Sequence, residues 1–215
     1  MGILEKRGLA KKIVSSLKKA YPDAPPSHLN FGNPFELLIA TILSARTTDA
    51  SVNKLTPALF ARYPTPDKMS RARIEEITEL VRTSGSYNKK AAYITETARM
   101  IVENFGGEVP KTLDELVTLK GVSRKTANVV LSVAFNLSEG VIVDTHVMRV
   151  TLNLGLSEHV KKPKKIEKDL MDLIPKTLWN DYARIIGTHG RQTCGSFRPK
   201  CPECRVNTLC PSAEL

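Results

Sequence analysis

Apolar residues return at helical spacing along nearly the whole chain, and this period constrains the fold more than any other feature. Leu9, Ile13, Leu17 and Tyr21 stand four apart. Ile94, Ala98, Ile101, Val102 and Phe105 follow i, i+4, i+7, i+8, i+11, and Ile166, Leu170, Leu173 and Ile174 repeat the pattern. Each stripe is one face of an amphipathic helix that needs a partner to cover it. Helix ends carry matching signals. Asn33 precedes Pro34, with Glu36 placed to complete a capping box, and Thr112 with Glu115 makes a second box. Gly106-Gly107 stops the helix that begins before Ile94. The only β-like run, Val141-Ile142-Val143, is too short to build a sheet. The predicted fold class is all-α.

With 41% hydrophobic and 25% charged residues in 215 positions, the chain is apolar enough to fold without a metal or disulfide. Its longest apolar runs, such as Leu37 to Ala40, fall far short of the roughly 18 residues that span a bilayer. The start, MGILEKRGLAKK, lacks the apolar stretch of a secretory signal, so a cytoplasmic location is predicted. Thirty-two Lys and Arg against 22 Asp and Glu leave a net charge of +10, which favours a polyanionic partner. Breaks in the helical pattern fall at Pro22, Pro25 and Pro26 and at the NLSEG stretch after Phe135.

Three groups of residues carry chemistry. Cys194, Cys201, Cys204 and Cys210 are spaced Cys-x6-Cys-x2-Cys-x5-Cys, and four thiolates so close in sequence can converge on one centre. Zinc and an iron–sulfur cube both suit such donors, and the single Cys-x2-Cys pair leans toward the cube. Arg198 and Lys200, inside the first cysteine loop, present cations to a nucleic-acid backbone.

The second group is Leu119-Lys120-Gly121-Val122-Ser123-Arg124-Lys125-Thr126-Ala127. A helix marked by Leu113, Leu116 and Leu119 runs to Gly121, and a new one opens near Ser123 with Ala127, Val130, Leu131 and Ala134 on one face. Amides at such a hairpin hold a phosphate without reading bases. Lys125 falls in the first turn, where the helix dipole, Arg124 and Lys120 all disfavour an ammonium. That points either to a nucleophilic amine or to a phosphate contact. The third group is Val141-Ile142-Val143-Asp144-Thr145-His146-Val147, which delivers an aspartate to a helix start. Asp144 is suited to cap that helix and also to stabilise positive charge developing on a sugar.

In this order, the hairpin lysine, the VDTH aspartate and the HGR-x-x-C run leading into four cysteines resemble the endonuclease III family of DNA glycosylase/lyases, in the helix–hairpin–helix superfamily. The resemblance extends from about Asn30 (NFGNPFELLIATILSA) to Cys210. It implies a six-helix barrel domain over residues 27–136, with the hairpin at about 113–135. It also implies an iron–sulfur cluster domain from residues 1–26 plus 137–215, with a cleft between the two. By the same resemblance, Lys125 attacks C1′ of a flipped, damaged nucleotide and forms a Schiff base that cleaves the 3′ side by β-elimination. Asp144 supports base departure, and Cys194, Cys201, Cys204 and Cys210 hold a [4Fe–4S] cluster of structural and DNA-binding role. DNA contacts are assigned to Arg46, Lys120, Gly121, Val122, Ser123, Arg124, Thr126, Arg191, Arg198 and Lys200, and the lesion pocket to Ser44, Asp49 and His146. The implied partner is duplex DNA bearing an oxidised pyrimidine or an abasic site, met by a monomer associated with the nucleoid.

Two other readings compete, a mismatch-specific thymine/uracil glycosylase of the same superfamily and a non-catalytic hairpin module with a structural metal. The first often has Tyr where Lys125 stands, and the second needs neither Lys125 nor Asp144. The chain also departs from the family pattern. Its hairpin reads LKGVSRKTA where LPGVGRKTA is usual, so a left-handed backbone at Ser123 would be strained by about 1–2 kcal/mol. Arg46 stands where Gln usually fills the space left by the flipped base, and Ser86 stands where a Leu wedge is usual.

Overall fold

The computed structural model describes residues 2–214; Met1 and Leu215, the outermost residues of the expected cluster domain, lie outside the described residues. Helices and turns account for all regular structure among them, as the apolar period requires, and Val141 to Val143 forms no strand. No helix is long and apolar enough to cross a membrane. The chain divides into two compact units, Met1–Pro26 with Ser138–Leu215, and Ser27–Leu137.

The unit Ser27–Leu137 begins with α2 (Pro34–Leu43), which follows α1 (Ile3–Ala20) of the other unit in the chain and is buried almost end to end. It packs against α3 (Asp49–Arg62), α6 (Tyr87–Phe105) and α8 (Arg124–Phe135), while α4 (Pro66–Ser70) and α5 (Ile74–Leu80) pack on α6 and α7 (Leu113–Leu116) on α8. Leu38, Ile39, Ile94, Ile101, Val130 and Leu131 share one core. Each such side chain contributes about 1.5–3 kcal/mol on burial.

The capping signals work, though not as full boxes. Asn33 Oδ1 accepts from the Glu36 amide at 2.9 Å, but Glu36 Oε2 reaches past Asn33 to the Gly32 amide at 2.6 Å. Thr112 Oγ1 accepts from the Glu115 amide at 3.3 Å and donates to Glu115 Oε2 at 2.6 Å. Gly106 closes α6 in the left-handed region, at φ 61°.

The helix expected to run to Gly121 stops after one turn at Leu116. Beyond it the backbone tightens into i to i+3 bonds, from the Thr118 amide to Glu115 O and from the Leu119 amide to Leu116 O. The Thr97 hydroxyl on α6 donates to Lys120 O at 2.7 Å and fixes where this segment ends. Tertiary anchoring therefore outweighs the local helical pattern.

The other unit holds α1 (Ile3–Ala20), α9 (Thr145–Asn153), α10 (Pro163–Leu173) and α11 (Trp179–Gln192). Ile13, Leu17, Val150, Ile166, Leu170, Tyr182 and Ile186 form its core. The fully buried Tyr182 hydroxyl bonds Thr151 Oγ1 at 2.9 Å, so its burial leaves no orphaned polar group. A Cβ on Gly190 would lie 2.9 Å from His146 Cβ, so α9 and α11 meet at a distance that only glycine permits.

Candidate functional site

Within the unit Ser27–Leu137, the hairpin is built as the spacing implies. Ser123 caps α8, its Oγ accepting from the Thr126 amide at 3.2 Å and bonding Thr126 Oγ1 at 3.0 Å. Its φ is −86°, an ordinary extended value, so the strain foreseen for a serine in the glycine position does not arise. The one left-handed residue of the turn is Gly121, at φ 76°. Lys120, Gly121, Ser123 and Lys125 are exposed, Arg124 and Thr126 partly so, and Val122 is buried as the anchor of the loop. Lys125 thus stands in the first turn of α8, open to solvent, among amides that helix geometry leaves without partners of their own.

Gly121 admits no substitute. A Cβ there would come within 2.7 Å of Tyr93 Cδ2 and 3.1 Å of Tyr93 Cβ, at the rigid base of a ring packed on the core. Gly121→Ala combines this clash with a left-handed alanine and is expected to destabilise the chain by about 2–4 kcal/mol. Denaturant unfolding measures this loss, and titration with duplex DNA is expected to show weaker binding.

Arg46 and Ser86 lie on two neighbouring segments of the same unit, both exposed. Each takes a left-handed backbone, at φ 55° and 58°, which costs a non-glycine residue about 1–2 kcal/mol. Ser44 and Asp49 flank Arg46. The Ser44 hydroxyl donates to Thr41 O at 2.9 Å in the last turn of α2, and Asp49 opens α3 behind the Thr48 cap.

In the other unit Asp144 caps α9, its Oδ1 accepting from the Val147 amide at 2.7 Å. Its second oxygen faces Arg191 Nη2 at 3.5 Å, and Arg191 Nη1 donates to Gly187 O at 3.1 Å. The HGR run thereby acquires a physical meaning, because Gly190 brings α11 against α9 and Arg191 then reaches the aspartate. His146 is held below the ordinary histidine range by burial, followed by the charge of Arg191, and its Nδ1 lies 3.4 Å from Arg149 Nη2.

The same unit holds Arg149, which sequence reasoning missed. Its guanidinium donates to Gly190 O at 2.7 Å and to Cys194 O at 2.8 Å, tying α9 to the start of the cysteine loop. Nothing in the spacing of α9 marks it.

Cys194, Cys201, Cys204 and Cys210 all line one cavity, with His189 beside them. Cys204 Sγ lies 3.8 Å from His189 Nε2, and Asn153 Nδ2 donates to Cys194 Sγ at 3.6 Å. Burial pushes the Cys204 and Cys210 thiols up, and the neighbouring thiols push the same way. A set of half-buried thiolates sharing this cavity is favoured around a cation or cluster. Among the described residues no three His, Cys, Asp or Glu side chains already stand at metal-gripping distances. Donor type, number and shared cavity nevertheless fit a thiolate-ligated centre. Arg198 and Lys200 project from the cysteine loop as exposed residues, Arg198 with a left-handed backbone at φ 54°.

Comparison with known proteins is consistent in both sequence and fold. Residues 39–176 match the family described as HhH-GPD superfamily base excision DNA repair protein. The chain is 48% identical over 209 residues to endonuclease III of Synechocystis, covering 97% of this chain and 94% of that one. It is 39% identical over 203 residues to endonuclease III of Escherichia coli K12, covering 94% and 95%. A solved structure of a trapped endonuclease III–DNA covalent intermediate, an estranged-adenine complex, superposes with a TM-score of 0.91 at 40% identity, covering 96% of each chain.

Proposed function

Because the chain belongs to the HhH-GPD superfamily of base excision DNA repair proteins, and within it to the endonuclease III family, we propose that it is a bifunctional DNA glycosylase and abasic-site lyase acting on oxidised pyrimidines in duplex DNA. The observation that carries this reading is Lys125, an exposed amine in the first turn of the helix behind a glycine hairpin. A mismatch glycosylase working by water attack, or a binding module, needs no amine there.

The base must leave the stack to be reached. The neutral Lys125 amine attacks C1′, the C1′–N bond breaks, and the base departs with the bonding pair and takes up a proton. The resulting N-glycosylamine opens as the C1′–O4′ bond breaks and O4′ takes up a proton, leaving a Schiff base between Nζ and C1′. Loss of a C2′ proton then expels the 3′ phosphate by β-elimination, and water releases the lysine. The Asp144 carboxylate, held by the Val147 amide and Arg191, stabilises positive charge on the sugar as the base leaves, and the proton released by the attacking amine passes to the departing base or to water.

Lys120, Arg124, Thr126 and the hairpin amides hold phosphates, and so do Arg191, Arg198 and Lys200 of the other unit. Arg46 contacts the DNA near the extruded nucleotide, and Ser44, Asp49 and His146 are assigned to recognition of the lesion. Cys194, Cys201, Cys204 and Cys210 hold a [4Fe–4S] cluster, which when bound supplies a rigid cross-link for the Arg198 and Lys200 loop. The protein works as a monomer on chromosomal DNA in the cytoplasm.

Turnover on a panel of duplexes tests the reading. Cleavage at thymine glycol and at abasic sites, by a yellow-brown protein carrying about four irons per chain, is the expected result. Excision confined to mismatched thymine, or binding without cleavage by a colourless protein, contradicts it.

A further inference from the structure

Lys90 is the one buried lysine among the described residues, 4% exposed, and it lies on the apolar stripe of α6 one turn before Ile94. Its ammonium donates to Leu43 O at 2.7 Å and to Thr47 Oγ1 at 2.6 Å. Among the described residues no carboxylate pairs with it, and an ammonium so placed is costly where a Met of similar length would pack at no such cost. The bonds it makes explain its place. Leu43 ends α2, so its carbonyl lacks a helical partner. Thr47 Oγ1 also accepts from the Gly85 amide at 3.2 Å, so one hydroxyl joins α6, the segment after α2 and the segment after α5.

Arg46 and Ser86 are the immediate neighbours of these bolted residues, Arg46 before Thr47 and Ser86 after Gly85. Both are exposed and both hold a left-handed backbone. Such backbones persist only where the surroundings over-determine them. The two segments also touch, since a Cβ on Gly85 would lie 3.4 Å from Arg46 O.

We propose that Lys90 is a positioning residue that, through Thr47, locks Arg46 and Ser86 into one rigid two-point contact against the duplex around the extruded nucleotide. This rests on the reading that the enzyme acts on a base taken out of duplex DNA and that Arg46 touches that DNA. A contact already rigid loses little further freedom on binding, so more of its interaction energy goes to holding the opened duplex. Lys125 chemistry on DNA that is already open depends on it far less.

The test compares excision of thymine glycol from duplex DNA with cleavage of an abasic site in single-stranded DNA, for wild type, Lys90→Met, Thr47→Val and Thr47→Ser. Duplex excision is expected to fall about tenfold to a hundredfold in Lys90→Met and Thr47→Val, and clearly less on the single strand. Thr47→Ser, which keeps the Oγ, is expected to restore the duplex rate. The double variant Lys90→Met/Thr47→Val is expected to be no worse than either single, because both cut one chain of bonds. Hydrogen exchange over residues 82–86 is expected to quicken in both single variants. Should Lys90→Met fail to fold, Thr47→Val carries the test, since it removes one oxygen from a partly buried site. Equal falls on both substrates, or an unchanged ratio in Thr47→Val, overturn the proposal and leave Lys90 a purely structural residue. A wild type inactive on both substrates defeats the functional reading itself, and this proposal with it, a result distinct from variants that leave the ratio unchanged.

Discussion

Lys125→Gln is expected to abolish strand cleavage at abasic sites, lowering the rate by about a thousandfold or more, while duplex binding weakens only modestly. The side chain is exposed and glutamine is nearly as good a helix former, so stability should stay within about 0.5 kcal/mol of wild type. Rate and stability thus separate at this position. Gel assay of an abasic duplex, beside thermal unfolding of the same samples, reads both. The glutamine amide cannot form a Schiff base, so the lysine-catalysed β-elimination is lost. Cleavage at more than a tenth of the wild-type rate would place the nucleophile on a different amine.

Asp144→Asn is expected to slow base excision by about two to three orders of magnitude, since a charge facing the developing cation is lost. The substitution is informative because Asn caps helices as well as Asp does, so the bond from the Val147 amide survives. What disappears is the charge, and with it the pairing to Arg191. Asp144→Ala removes the cap as well and is expected to cost about 1 kcal/mol of stability in addition. Near-normal excision by a folded Asn variant would reduce Asp144 to a helix cap. Base release and strand scission, measured separately, are expected to diverge, with excision falling further than cleavage of a preformed abasic site.

Much of the architecture is legible in the residue order because helical faces are local. The stripes at Ile94 to Phe105 and Ile166 to Ile174, the caps at Asn33 and Asp144 and the stop at Gly106 each involve residues within a few positions of one another. What escapes a linear reading is long-range. The helix before the hairpin ends early because Thr97, 23 residues away, holds Lys120 O. Ser123 takes an extended backbone because the whole left-handed demand of the turn falls on Gly121.

Candidate site residues divide in the same way. Lys125, Asp144 and the four cysteines announce themselves by type and spacing. Arg149 does not, because its partners Gly190 and Cys194 lie more than 40 residues away. Lys90 left a trace that is visible in hindsight, a lysine in register with the buried face of α6. Its partners Leu43 and Thr47 become neighbours only when α2 and α6 pack.

Borohydride trapping followed by peptide mapping tests the lysine chemistry most directly. Incubated with duplex DNA carrying thymine glycol and reduced in place, the protein is expected to form a covalent adduct on the peptide containing Lys125. An adduct mapped to any other residue, or undiminished trapping in Lys125→Gln, would contradict it.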